Sequence, residues 1–451
     1  MSSSQKQPHV LVISYPAQGH VNPLLQFCKR LVAKGIKTTF ATTLSFSKSV
    51  TFDKNNHLIN LETFSDGFDD NGPDEIVPPE VFFPKLREVG PKSLSDLVLQ
   101  LDRPNVIIYD GFLPWALDVA KRFRLMGVAF FTQTCAVNSI YYHVNRKLLT
   151  VPLTDSVVSV PGLPLLENYE TPSFVHKYGL FPDVQDLVFN QFTNIDQADW
   201  VFFNSFYKLE EEVLDWMGKL WHVRTIGPSL PSIYLDKRLL DDKDYLVNIL
   251  NPKGSECMNW LNGKPKSSVV YLSFGSMTQP NPEQMKEITC ALTDCGFSFL
   301  LVVKSCEEDK QLFAKLVLKQ GLVVPWCPQL QVLAHESIGC FVTHCGLNSV
   351  LEAIGLGVPM VAMPQWSDQT TNAKYVEDVW GVGVRARPDA NGLVSSRVLG
   401  SCIREVMEGE KGLQMKKNVM KWRDLAKEAI GEGGSSDNNI DEFVAELKLM
   451  F

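Results

Sequence analysis

Short apolar runs alternate along this chain with stretches whose apolar positions recur every three or four residues. Residues 9–15 form the first apolar run and predict a buried strand. Residues 16–22 read as a turn. Pro23 then stands where a first helical residue should, with Asn22 as its cap. Leu24, Leu25, Phe27, Cys28, Leu31 and Val32 follow at helical spacing, and Gly35 ends the helix. Further strands are predicted at 37–43, 106–110, 126–132, 200–204 and 222–226, with a helix over 115–123. Residues 66–95 and 150–195 are rich in Pro, Asp, Gly and aromatics and predict long loops over a pocket. After Pro231 the chain turns polar (YLDKRLLDDKDY), which reads as a linker. The same rhythm then restarts. Strands are predicted at 268–274, 297–303, 322–326, 340–343 and 358–363. Asn281 caps a helix with Pro282 first and Gln284 in the capping-box position. A last helix, 437–449, carries Ile440, Phe443, Val444 and Leu447 on one stripe and should dock on a neighbouring surface.

Apolar strands alternating with amphipathic helices predict parallel sheets covered on both faces, hence an α/β fold. At 451 residues the chain is too long for one ordinary core. The expectation is two doubly wound domains facing each other across a cleft, at 1–240 and 241–436, and a C-terminal helix at 437–451 packing back across them.

Composition narrows the partners. A net charge of −8 argues against nucleic acid or an anionic membrane as main partner. Ten cysteines lie without a CxxC pair or framework spacing, which fits reduced thiols. The N-terminal MSSSQKQPHVLVISY has no long apolar run of the signal-peptide kind, and no stretch approaches a membrane span. A cytoplasmic monomer without nucleic-acid or membrane partners is expected.

Candidate chemistry concentrates between Trp326 and Gln369 (WCPQLQVLAHESIGCFVTHCGLNSVLEAIGLGVPMVAMPQWSDQ). In open parallel sheets, ligands bind beyond the carboxyl ends of strands. Trp326 offers a flat apolar face for a base, with the Cys327 backbone beside it. The segment from Gly346 to Ser349 opens a helix, whose free N–H groups suit a diphosphate. His344, Asn348 and Ser349 add side-chain donors. Glu352, one turn in, suits ribose hydroxyls. Asp368 and Gln369 can grip sugar hydroxyls. The His/Cys group of His335, Cys340, His344 and Cys345 lacks the spacing of a zinc site, and no metal is expected. Asp242 and Asp244 form the one DxD-like run and read as solvated linker. No GxSxG elbow and no GxGxxG after a strand appear, which disfavours a serine hydrolase and an NAD enzyme.

Towards the N-terminus, His20 follows the first strand (PAQGHVNP) and Asp110 ends an apolar strand (VIIYD). A carboxylate buried there needs a partner. An Asp behind a His fixes its tautomer and stabilises imidazolium, the logic of a general base. Thr132 or Thr134 is expected to touch the sugar, and the sequence does not choose between them. Tyr15, Phe83, Phe112, Tyr141, Phe192 and Trp366 suggest an aromatic acceptor pocket, although each taken alone reads as core.

These motifs resemble the signature box and catalytic pair of plant secondary-product UDP-glycosyltransferases. The resemblance covers nearly the whole chain. FFTQTCAVNSIYYHV, FNSFYKLEEEV and YLDKRL are similar to the subgroup of salicylate, steviol and triterpene glucosyltransferases. It implies a GT-B fold of two Rossmann-like domains, UDP-glucose as co-substrate, and inverting O-glucosylation of a hydroxyl or carboxyl on a hydrophobic aglycone. A terpenoid or steroid is the first expectation and a phenolic the second. By resemblance, His20 and Asp110 act as base and helper, Gln329 assists at the ribose, and Gly275 and Ser276 contact phosphate. Asp368 and Gln369 hold the sugar, the terminal Gln going with glucose. The departure is Leu347, where most members have Trp; it keeps a backbone N–H and loses a ring near the sugar. A non-catalytic nucleotide-sugar or small-lipid binder on the same fold is the alternative.

Overall fold

The computed structural model describes residues 7–52, 58–71, 77–101, 103–245, 247–248, 254–275, 279–303 and 321–450. The chain divides into two compact units, 1–249 with 428–451, and 250–427. The sequence reading sets these boundaries at 240 and 436.

The first unit is built on seven parallel strands: β1 (His9–Ile13), β2 (Lys37–Thr43), β3 (Asn60–Phe64), β4 (Val106–Asp110), β5 (Met126–Phe131), β6 (Trp200–Phe203) and β7 (Val223–Thr225). Their order is β7-β6-β5-β4-β1-β2-β3. The inner strands β1, β4 and β5 are buried at every residue, as helices on both faces require. β3 escapes the sequence reading because it is an edge strand with three exposed residues of five.

Two expectations about helices are corrected. The first helix runs Gln18–Ala33, so His20 lies in its first turn and not in a loop. Pro23 sits inside it. The proline forfeits one backbone bond, but Val21, Leu24, Leu25, Cys28 and Leu31 are essentially unexposed and hold the helix against the sheet. Residues 79–95, expected as loop, belong to a helix over Pro79–Gln100. Pro79 opens it, where a proline costs nothing. Pro84 and Pro91 lie inside, yet Phe83, Leu86, Gly90, Leu94 and Leu97 bury one continuous stripe. Gly90 is required there: a Cβ would lie 2.7 Å from the Trp115 ring. Within 150–195 the chain forms a small antiparallel pair, Val157–Val158 with Leu166–Glu167, and a helix at Pro182–Asn190.

The charged stretch after Pro231 is no solvated linker. Asp236 takes a bidentate pair from Arg30 (2.5 and 2.9 Å), and buried Asp242 accepts from Lys29 Nζ at 2.5 Å and Ser232 N at 2.7 Å. These bonds tie the end of the first unit to its first helix. The C-terminal helix, Ser435–Met450, also belongs to this unit. Phe443 packs 5.5 Å from Trp200 and 5.1 Å from Phe202, and Asp437 accepts from Lys34 and pairs with Arg238.

The second unit is a six-stranded parallel sheet of β8 (Val269–Ser273), β9 (Ser298–Val302), β10 (Gly321–Val324), β11 (Ile338–Thr343), β12 (Met360–Ala362) and β13 (Gly383–Arg385). Its order is β10-β9-β8-β11-β12-β13. Val270, Leu272, Val342 and Val361 meet Ile288 and Ile403 of the flanking helices in the core. Asn281 caps the Pro282–Asp294 helix, its side chain accepting from Gln284 N at 2.8 Å. The Gln284 side chain does not return to the cap; it pairs with the Val394 backbone through both its ends (2.8 and 2.9 Å).

Candidate active site

Each sheet reverses its winding once. In the first unit the chain winds outward from β1 to β3, then restarts beside β1 with β4 and winds the other way. The carboxyl ends of β1 and β4 therefore flank the switch point, where open α/β sheets bind ligands. His20 follows β1 and Asp110 ends β4. His20 Nδ1 stands 2.8 Å from Asp110 Oδ2. Thr132, just past β5, places its Oγ1 3.0 Å from the same nitrogen. A carboxylate oxygen can only accept, so Nδ1 carries the hydrogen and Nε2 holds the lone pair. Asp110 is 1% exposed and is oriented by Phe112 N on Oδ1 (3.0 Å) and Tyr15 N on Oδ2 (3.4 Å). Three rings close around the base: His20 lies 5.1 Å from Tyr15 and 4.6 Å from Phe112, which are 5.5 Å apart. Burial, reinforced by the Asp110 charge, pushes the Tyr15 phenol above its ordinary range, so it stays protonated.

A cavity of about 440 Å³ opens in the first unit and has Phe112 in its wall. Phe83, Leu86, Trp115 and Leu187 supply apolar lining, with Asn190 and Asn194 among the polar groups. Of the aromatic residues singled out in the sequence, Tyr15 and Phe112 stand at His20, and Phe83 and Phe112 line the cavity. Phe192 does neither. It is fully buried, stacked 5.4 Å from Phe131, in a cluster with Tyr142 and Trp221. Tyr141 is also fully buried, against Phe189. Trp366 belongs to the second unit.

In the second unit β8 and β11 flank the switch point. Gly275 follows β8, and His344 follows β11. Ser276 lies outside the described residues. A Cβ on Gly275 would approach His344 Nε2 to 2.8 Å, and one on Gly346 to 2.6 Å, so two glycines clasp the imidazole. Gly275 also needs φ +79°. His344 Nδ1 is buried without a hydrogen-bond partner among the described residues. Burial holds the ring's pKa down at about 4, only partly offset by the Ser273 backbone. His344 is thus a neutral imidazole beside the N-terminus of the Leu347–Leu356 helix, which Gly346 caps without a side chain. An orphaned ring nitrogen, a glycine cradle and a helix N-terminus at one switch point fit a diphosphate. Leu347, first in the helix, is buried at 4% exposure, and Asn348 follows it half-buried.

Trp326 lies two residues past β10 in the half-buried turn, not in the strand itself. Beyond it, five side chains form one chain of bonds. Gln329 Nε2 stands 2.6 Å from Glu352 Oε2 and 3.0 Å from Ser349 Oγ. Gln329 Oε1 accepts from Tyr271 at 3.0 Å, and Tyr271 Oη lies 3.3 Å from Cys327 Sγ. Glu352 is 4% exposed. Tyr271 was passed over in the sequence because VVYLS reads as continuous apolar strand. The signal was its hydroxyl, which has to find a partner once buried.

Asp368 caps the Gln369–Lys374 helix by position but not by side chain; its Oδ2 accepts from Asn372 Nδ2 at 2.7 Å. Asn372, also passed over, donates to Cys345 O at 2.9 Å and so links the two loops. Gln369 Oε1 accepts from Gln365 N (2.9 Å) and Trp366 N (3.1 Å), which leaves its amide NH₂ as the hydroxyl-binding end. Cys345 (φ 67°) and Ser367 (φ 61°) hold left-handed backbone beside these residues, a local cost of roughly 1–3 kcal/mol each. The zinc reading gains nothing: His335 pairs with Ser337 and Asn262, and Cys340 lies in the core.

Comparisons with known proteins show the family. The family model described as UDP-glucoronosyl and UDP-glucosyl transferase matches residues 187–429, over half of the chain. A mogroside I-E synthase of Siraitia grosvenorii is 44% identical over 448 residues, 98% of each chain. A flavonol 7-O-beta-glucosyltransferase of Arabidopsis thaliana is 44% identical over 452 residues, again 98% of each. A crystal structure of Os79 from O. sativa in complex with UDP superposes with a TM-score of 0.90 at 40% identity, covering 97% of this chain and 100% of the other. Two doubly wound units of this kind make the GT-B fold. The chain belongs to the plant UDP-glycosyltransferases of family 1, enzymes that move a sugar from a UDP-sugar to a small-molecule acceptor.

Proposed function

We propose that this enzyme is an inverting O-glucosyltransferase that uses UDP-glucose and a hydrophobic aglycone. The observation that carries this reading is the His20–Asp110 pair, with Nδ1 engaged at 2.8 Å and Nε2 turned to no protein partner among the described residues. Nε2 takes the proton of the acceptor hydroxyl, and Asp110 stabilises the imidazolium that forms. Thr132 accepts from the same N–H and helps keep the ring oriented. The acceptor oxygen attacks C1 of the α-linked glucose, the C1–O bond to UDP breaks, and a β-glucoside results. Trp326 stacks on uracil, the Cys327 backbone reads its edge, and Gln329 and Glu352 receive the ribose. The Leu347–Leu356 helix N-terminus with His344, Asn348, Ser349 and Ser276 balances the charge developing on UDP. Asp368 and the Gln369 NH₂ hold the glucose hydroxyls. Leu347 leaves that side of the sugar without the aromatic face the family commonly supplies. With these donors in place, we expect turnover without added metal.

For the acceptor we propose a hydrophobic aglycone, terpenoid or steroid ahead of phenolic; the cavity beside Phe112 offers it an apolar wall of Phe83, Leu86, Trp115 and Leu187, edged by Arg87, Asp118 and Asn190. The relatives' names include a mogroside synthase and a flavonol glucosyltransferase. Product detection by mass spectrometry, with UDP-glucose, no added metal, and a panel of steroid, triterpenoid, diterpenoid and phenolic acceptors, tests the reading. A hexose added to one class is expected. UDP binding without any product would count against this reading, in favour of a different donor sugar or of the non-catalytic nucleotide-sugar binder.

A further inference from the structure

Tyr271 is buried, yet it stands in the middle of the bond chain that ends on the proposed ribose carboxylate. The direction of each bond follows from chemistry. Glu352 Oε2 can only accept, so the amide end facing it at 2.6 Å is the Gln329 NH₂. Gln329 Oε1 therefore faces Tyr271, and an oxygen without hydrogens forces the phenol to donate (3.0 Å). The one phenol hydrogen being used, the 3.3 Å contact with Cys327 is closed by the thiol hydrogen. Burial keeps both hydrogens in place: it pushes the Cys327 thiol up to about 12 and the Tyr271 phenol well above its ordinary range. The result runs one way, from Cys327 through Tyr271 and Gln329 to Ser349 and Glu352. Tyr271 is 1% exposed and its ring is stacked 4.8 Å from Phe341, so the hydroxyl has no freedom to swing away.

We propose that Tyr271 is a positioning residue for the donor: it fixes the Gln329 amide, which in turn aims the Glu352 carboxylate at the ribose hydroxyls. A phenylalanine would keep the ring and its packing and delete the donor. The Gln329 amide would then lose its partner on Oε1, and Glu352 its steady orientation. The inference rests on the proposed ribose role of Glu352, so the test must separate the two.

Calorimetry with UDP and with 2′,3′-dideoxy-UDP on the wild type and on Tyr271→Phe does so, with thermal unfolding of each alongside. The wild type should bind UDP more tightly than the dideoxy analogue. Tyr271→Phe should weaken UDP about fivefold, the size of one net hydrogen bond, and leave the dideoxy analogue unchanged. Its KM for the UDP-sugar should rise with little change in kcat. Gln329→Leu, which removes both the link and the Gln329 ribose contact and leaves Tyr271 in place, should show a selective loss at least as large, and adding Tyr271→Phe to it should change nothing more. Equal affinity of the wild type for both nucleotides overturns the ribose role and this inference with it. A ribose preference in the wild type that Tyr271→Phe leaves intact overturns the positioning role alone. Equal weakening of both nucleotides would mark Tyr271 as packing.

Discussion

One nitrogen of His20 is committed to Asp110 and Thr132, and the other is turned to no protein group among the described residues. His344 is held in the opposite way, with an orphaned nitrogen and two glycines against its ring. That difference has a measurable consequence. His344 titrates near pH 4 in the folded chain and near 6.5 once unfolded. Between those values the unfolded state binds the extra proton, so this group removes stability as pH falls from 6.5 towards 4, by up to about 1.4 kcal/mol per pH unit. Above pH 6.5 both states are neutral there and the contribution is constant. Chemical denaturation of His344→Asn across this window should give a shallower pH slope than the wild type. Parallel slopes would show that the imidazole is not held neutral.

At the scale of elements, the Pro79–Gln100 helix packs on the Trp115–Arg122 helix through Gly90. Gly90→Val would push a side chain into the Trp115 ring and should cost about 2 kcal/mol of stability, read as a lower unfolding midpoint. An unchanged midpoint would mean that the two helices separate freely. The same helix shows where sequence patterns mislead. Its apolar stripe is complete, but two interior prolines argue against a helix, and local rules cannot weigh them against burial supplied by a distant neighbour. Strands such as VIIYD and KTTFATT are legible to the residue because nothing in them conflicts. The Asn60–Phe64 strand is not, since an edge needs little apolar surface. Asp236 and Asp242 read as solvated because Arg30 and Lys29 lie some two hundred residues earlier. In the candidate site, His20, Asp110, Ser349 and Glu352 were visible as residue types near strand and helix ends, and Gln329 only through the family resemblance; the structure joins His20 to Asp110, and Gln329 to Ser349 and Glu352. Tyr271 and Asn372 were not visible, because they serve by hydrogen-bonding other side chains and backbone.

Over the whole molecule, the chain returns at residue 428 to the unit in which it began. Its last helix caps the sheet with Ile440, Phe443 and Leu447, all fully buried, and with the Arg224–Glu442 pair (2.8 Å) at its rim. Phe443→Ala should cost about 3–5 kcal/mol and lower the unfolding midpoint, while UDP affinity, which we propose resides in the other unit, should hold when measured on the folded fraction. An unchanged midpoint would mean that the last helix adds nothing to the first unit.

The central claim is that His20 is the base. Once the acceptor panel has identified a substrate, the direct test is His20→Ala, assayed for glucoside by mass spectrometry with UDP binding measured by calorimetry on the same sample. The account predicts a fall in turnover of at least about a hundredfold with UDP affinity essentially unchanged. Turnover near that of the wild type, with UDP still bound, would contradict it.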